Sequence, residues 1–319
     1  MSALPNTRLT AGTFAVVAAI ALAAIACLLV LQSPKPAASP HILFLALSPT
    51  GEWMASAGAA GDVRLWQEKR MAHARTLPLA DGALNDLQFS PDGRFLAVAS
   101  RNLILYDLQN RSQRVIRDDQ ANYGTARFTS DSKTLLTVTG SGHIGLIDLH
   151  SAQMRPLYCC TSIWGEVAFT GNDRQIAWAG HWPGLLDRAS GAVARFTQER
   201  QFEAFGPIAT HGESIFIGSQ DGRVYWWDLA TRKLLGKSPP IPGYVRTLAV
   251  LGGRAWIAYS SAQGSPVHLW QPATGASRAV ASARPAGNIV YHPVHGSVVF
   301  ADSTGEIQFW DLPNQTRLR

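Results

Sequence analysis

The chain has 319 residues, 46% of them hydrophobic and 16% charged, a globular composition with ample apolar material for a large core. Its formal charge of +6 falls to +4 beyond residue 40, because only Arg8 and Lys35 are charged before it; with no basic cluster interleaved with aromatics, a nucleic-acid partner is excluded. Three cysteines in all rule out a fold held together by disulfides.

In chain order, residues 1–10 form a short flank and residues 11–31 read as a transmembrane helix that serves as signal anchor. Within it, "FAVVAAIALAAIACLLVL" (14–31) runs eighteen residues without a polar side chain, which at 1.5 Å per residue spans about 27 Å, close to a bilayer core. A cleaved signal peptide has an apolar region of only ~7–15 residues, and here the run continues past the small-x-small site Ala24-Ile25-Ala26. "AIAC" ending at Cys27 loosely resembles a lipoprotein processing site, but Ala24 stands where a larger apolar residue is preferred and the apolar "LLVL" follows. A retained anchor is therefore the expectation. Ala11, Ala15, Ala19, Ala23 and Cys27 share one helix face, the small-residue spacing that permits self-association of such helices. Arg8 and Lys35 nearly balance across the span, and the free amino terminus tips the orientation toward a cytoplasmic N-terminus. Residues 32–41, "QSPKPAASPH", are a Pro-rich tether.

From residue 42 onward the chain is periodic. Trp66-Gln67, Tyr106-Asp107, Ile147-Asp148, Leu186-Asp187, Trp227-Asp228, Trp270-Gln271 and Trp310-Asp311 recur at intervals of 40, 41, 39, 41, 43 and 40 residues. A turn between two apolar runs keeps the same beat, as in "FSPDGRFLAVAS" (89–100), "FTGNDRQIAWAG" (169–180) and "YHPVHGSVVFAD" (291–302). Pro-Asp-Gly and Asn-Asp between β-rich runs are hairpin chemistry, so each unit is an antiparallel meander of short strands. One repeat contains "SQDGRVYWWDLATRKLL" (219–235), where adjacent Trp226 and Trp227 must point to opposite faces of a strand. Both are useful only if that strand is buried on both sides.

The spacing, "FSPDG", "SQDG" and the Trp-Asp pairs resemble the WD40 repeat family over residues 42–319. The resemblance implies an all-β fold, a seven-bladed β-propeller of four-stranded antiparallel blades, behind the single N-terminal transmembrane helix. Trp66, Trp227, Trp270 and Trp310, with Asp228 and Asp311, take the family's structural positions. Only Asp221 clearly occupies the turn-aspartate position, with Trp227 its expected partner. No repeat carries the Gly-His pair that usually precedes the first strand, so stability must rest on packing between blades. No N-terminal strand is available to complete the last blade. "NQTRLR" is expected to supply its outer strand, leaving the contact between first and last blades as the weakest seam.

Little in the sequence suggests catalysis. The nine histidines are scattered, no G-x-S-x-G, P-loop or Cys-x-x-Cys occurs, and His292 and His295 flank Pro293 in a turn that reads as solvated rather than metal-binding. Neither a metal nor another cofactor is expected. "WQPATGASRAV" and "LDRASGAVARF" contain a turn like that of quinone-dependent dehydrogenases, but no tryptophan follows Gly275 or Gly191 in register. Adjacent Cys159 and Cys160 read as small apolar side chains. Function is instead expected on a rim of loops, where Tyr123, Trp164, Trp182, Phe202, Phe205, Tyr244 and Arg246 form the candidate protein-binding surface. The reading is a non-enzymatic, membrane-anchored scaffold, its propeller on the periplasmic side of a bacterial inner membrane. The alternative is a propeller enzyme or small-ligand sensor that uses a central channel.

Overall fold

The computed structural model describes residues 42–318 except 59–60, 78–83, 118–121, 160–165, 181, 197–205, 253–255, 262–263, 293 and 313. The expected transmembrane helix, its Ala11, Ala15, Ala19 and Ala23 face, Cys27, the tether, and Cys160 lie outside them. Among the described residues no helix is long and apolar enough to cross a membrane.

Each repeat folds into one antiparallel sheet whose four strands are paired in sequence order. The seven sheets cover residues 42–77, 86–116, 123–159, 167–195, 208–237, 247–280 and 290–317. Their first strands lie beside one another around a central channel, and the first strand of the last blade meets that of the first blade, closing the ring. The last blade does end on a strand of its own: Thr316–Arg317 pairs with Ile307–Asp311, Trp310 opposite Arg317.

Burial follows radius and explains the hydrophobic pattern. The middle strands are apolar almost throughout, as in Leu103–Asp107 and Ser297–Ala301, whose residues are all buried. A strand with a blade on each face has no solvent side, so alternation disappears. Outer strands such as Ala72–Leu77 and Leu234–Lys237 alternate between exposed and half-buried positions, as a strand with one solvated face should.

The double tryptophan shows both faces at once. Trp227 is buried against the fourth blade, its ring centroid 5.7 Å from Phe196, while Tyr225 stacks on the same face at 5.8 Å. Trp226 points the other way, 6.5 Å from Trp270 of the sixth blade, and its indole N–H donates to Ser214 Oγ at 2.9 Å. Seven apolar clusters fill the seven blade interfaces. The cluster joining the first and last blades, Ile42, Leu45, Met54, Val299, Ala301 and Phe309, is the smallest of them among the described residues.

The aspartates after the tryptophan positions begin the turns to the outer strands. Asp228 Oδ1 accepts the Thr231 N–H at 2.7 Å and hydroxyl at 2.6 Å, and Asp187 holds Ser190 in the same way. These bonds hold the Asp187 carboxyl down at about 2. Asp221, expected beside Trp227, accepts the Tyr225 hydroxyl at 2.8 Å. Asp302 also proves to be a turn aspartate: its Oδ2 accepts Gln308 Nε2 at 2.6 Å, and Gln308 Oε1 accepts the Trp310 indole N–H at 2.9 Å. Gln308 thus links turn and tryptophan in the last blade. Gly222, at φ +78°, has no room for a side chain, since a Cβ would run into the Ile241 carbonyl oxygen.

Candidate functional site

Innermost strands present one free backbone edge to the channel, and unpaired edges demand partners. Polar side chains of neighbouring blades supply them. Asp86 accepts the Ala126 N–H at 2.9 Å, Gln88 Oε1 the Phe128 N–H at 3.1 Å, and Thr247 Oγ1 the Ile289 N–H at 2.9 Å. At the closing seam Asn288 does so twice, accepting from Leu45 N–H at 2.7 Å and donating to its carbonyl at 2.9 Å.

Arg127 occupies the centre of this belt. It donates to Asp86 and, at 3.3 Å, to Glu166, so three consecutive blades share one charge cluster. Burial works against the guanidinium charge, but the two carboxylates more than offset it and the Arg127 pKa rises. Burial pushes the Glu166 carboxyl up, against the pull of Arg127. The cluster's charges are engaged with each other and with backbone edges.

Above it, the channel mouth widens into a cavity of about 380 Å³ bordered by Asn85, Asn122, Glu166, Tyr244 and Arg246. The loop carrying the last two is anchored on both sides: Val245 is buried, its N–H donates to the Ser219 carbonyl at 3.0 Å, and the Arg246 N–H donates to the Ser260 carbonyl at 2.9 Å. Tyr244, 54% exposed, therefore stands on a fixed backbone and also borders a second cavity of about 340 Å³ with Ser219 and Gln220. Antiparallel topology puts Trp182 on the same end of the ring, in the loop between the second and third strands of its blade. It is 61% exposed, and its carbonyl is held by the Trp178 indole at 2.8 Å and Arg195 at 2.5 Å. Trp182 does not border either cavity that Tyr244 lines.

Of the other expected rim residues, Trp164, Phe202 and Phe205 lie outside the described residues. Tyr123 corrects the expectation of an exposed rim. It is buried in the strand Tyr123–Phe128, packed with Leu103 and Ile116 between the second and third blades. Sequence reasoning missed Asn85, Asn122 and Glu166, which carry no motif and come together only because each precedes or begins an innermost strand. The histidine turn is the second correction. His292 is fully buried and faces Glu68, which is 1% exposed, while His295 remains open to solvent.

A larger depression of about 570 Å³ lies at the opposite end, between the second and third blades. Its charges are of both signs, and among them Arg94 pairs with Asp107 at 2.7 Å and Arg114 donates to the Leu149 carbonyl at 2.9 Å.

Residues 27–67 and 73–106 match the WD40 family (WD domain, G-beta repeat). With its seven four-stranded blades the chain folds as a seven-bladed β-propeller, and its first two blades carry the match to the WD40 repeat. It is 32% identical over 108 residues to the "Protein LST8 homolog" of Drosophila melanogaster, spanning 31% of this chain and 34% of that one. To "Target of rapamycin complex subunit wat1" of Schizosaccharomyces pombe it is 30% identical over 109 residues, 33% of this chain and 35% of the other. To the human "Kinesin-like protein KIF21A" it is 24% identical over 190 residues, 57% of this chain and 9% of that protein. The chain thus matches about a third or less of the length of these relatives. The beta-propeller domain of Cps50 (Swd1) from Myceliophteria thermophila superposes with a TM-score of 0.70 at 17% identity, covering 85% of this chain and 96% of that one.

Proposed function

We propose that the chain is a non-catalytic scaffold that docks a protein partner on the channel-mouth end of its propeller. The observation that carries this is Tyr244 beside Arg246 on a doubly anchored loop, an aromatic and a guanidinium presented without a folding cost. The Asp86–Arg127–Glu166 cluster serves the inner strands, which favours docking over chemistry in the channel. Similarity over part of the chain to a subunit of a target of rapamycin complex supports a role in complex assembly. In this reading residues 11–31 anchor the scaffold in a membrane, with the propeller on the periplasmic side of a bacterial inner membrane.

Co-purification from solubilised membranes tests the docking face. Replacing Tyr244 and Arg246 together by alanine is expected to abolish recovery of the partner that wild type retains, and unchanged recovery would refute the reading. A topology reporter fused after Arg319 tests the side of the membrane, and activity only in the cytoplasm would reverse the orientation.

A further inference from the structure

The first repeat departs from the others at one position. Like the sixth repeat it has glutamine, Gln67, where five repeats have an aspartate, but here the connection to the outer strand is a 3-10 turn, Glu68–Arg70, with no side-chain cap, whereas Gln271 caps its turn by accepting from Thr274. Glu68 is fixed there by its own backbone. Its N–H donates to the Glu52 carbonyl at 3.0 Å, and its carbonyl accepts from Met71 N–H at 3.1 Å, where Met71 takes a left-handed φ of 47°. The carboxylate is thereby carried under the closing seam, toward the turn between the first two strands of the last blade.

Two imidazoles meet it from that blade. Glu68 Oε1 is 3.8 Å from His292 Nε2 and Oε2 is 3.9 Å from His295 Nε2, and the two rings lie with centroids 4.4 Å apart. One ligand-capable atom from each of the three residues falls within 4.8 Å of the others. Ligand atoms 2.0–2.2 Å from a tetrahedral zinc lie roughly 3.3–3.6 Å from one another, so closing this triad on an ion draws the two carboxylate–imidazole pairs in by a few tenths of an ångström and the widest pair of the three by up to about 1.5 Å. Imidazole and carboxylate together suit zinc and its first-row neighbours rather than magnesium or calcium.

We propose that Glu68, His292 and His295 bind a divalent transition-metal ion, zinc by chemistry, and that this ion staples the first blade to the last. The ligands come from both sides of the seam whose apolar cluster is the smallest among the described residues. His295, its side chain 51% exposed, gives the ion its route in and leaves a fourth position for water. Coordination through His292 Nε2 places that ring's proton on Nδ1. It displaces the long 3.3 Å hydrogen bond in which Nδ1 accepts from the His295 N–H.

The test uses the untagged full chain, stripped with a chelator and titrated with cobalt(II) and then zinc. Wild type should bind one ion per chain, show the visible absorption of cobalt in a low-symmetry nitrogen and oxygen site, and melt at higher temperature with zinc. Glu68→Gln and His295→Ala should each weaken binding by at least the ~10–100-fold that loss of an outer-shell partner costs. Because His295 is half exposed, its alanine variant should keep the circular dichroism of wild type. Zinc should also slow amide exchange in 42–47 and 297–301 of wild type and leave it unchanged in His295→Ala. No stoichiometric binding, binding that both variants retain, or binding without protection of these two strands would overturn the proposal.

Discussion

Asp107 illustrates how single side chains tie the blades to pH. Hydrogen bonding from Arg94, reinforced by Asn110, holds its carboxyl at about 2, below the unfolded value of ~3.9. A group whose folded pKa is depressed stabilises the fold above its unfolded pKa and loses that contribution as pH falls toward the folded one. Stability should therefore drop between about pH 4 and pH 2, and Asp107→Asn should flatten that part of a Tm-against-pH profile. Trp227→Ala removes a fully buried indole and should cost about 3–5 kcal/mol, seen as a lower urea midpoint. The role of Trp227 was legible from its repeat position. The Tyr225 partner of Asp221 and the Gln308 relay from Asp302 were not. Both join residues in or beside one strand, but the choice among several nearby donors depends on side-chain direction, which spacing alone leaves open.

Among elements, the innermost strands are the least autonomous, because their channel edge is completed by another blade. Asn288→Ala removes both bonds to Leu45 and strands backbone groups there, at about 1–3 kcal/mol. Asn288→Asp should recover only the acceptor half. Gly222→Ala forces a side chain into the Ile241 carbonyl and should destabilise by more than the ~1 kcal/mol of an ordinary turn glycine, again read in the urea midpoint. Hairpin turns were plain in the sequence, since Pro-Asp-Gly and Asn-Asp state their dihedral needs locally. Tyr123 was misplaced for the opposite reason. It follows a polar segment, "DDQAN", yet begins a strand, and only the neighbouring blade decides that its ring is covered.

At the scale of the whole molecule, ring closure is the element of design that a repeat pattern conceals. Periodicity makes all seven units look alike, but the chain has one interface between units that are not consecutive. Amide exchange should be faster in Ile42–Leu47 than in the equivalent Asp86–Phe89 when metal is withheld, and equal rates would show the seam to be as firm as the rest. Glu68 and His292 are 224 positions apart in the sequence, so nothing local could have announced their meeting.

The paired tryptophans carry a consequence for energetic coupling. Trp226 and Trp227 are joined by a peptide bond but belong to different interfaces, whereas Trp226 and Trp270 are in edge contact from different blades. In double-mutant cycles, alanine at Trp226 and Trp227 should combine almost additively, within about 0.5 kcal/mol, and alanine at Trp226 and Trp270 should not. Cooperativity in this molecule would then run around the ring from blade to blade, with covalent adjacency a poor guide to which residues depend on each other.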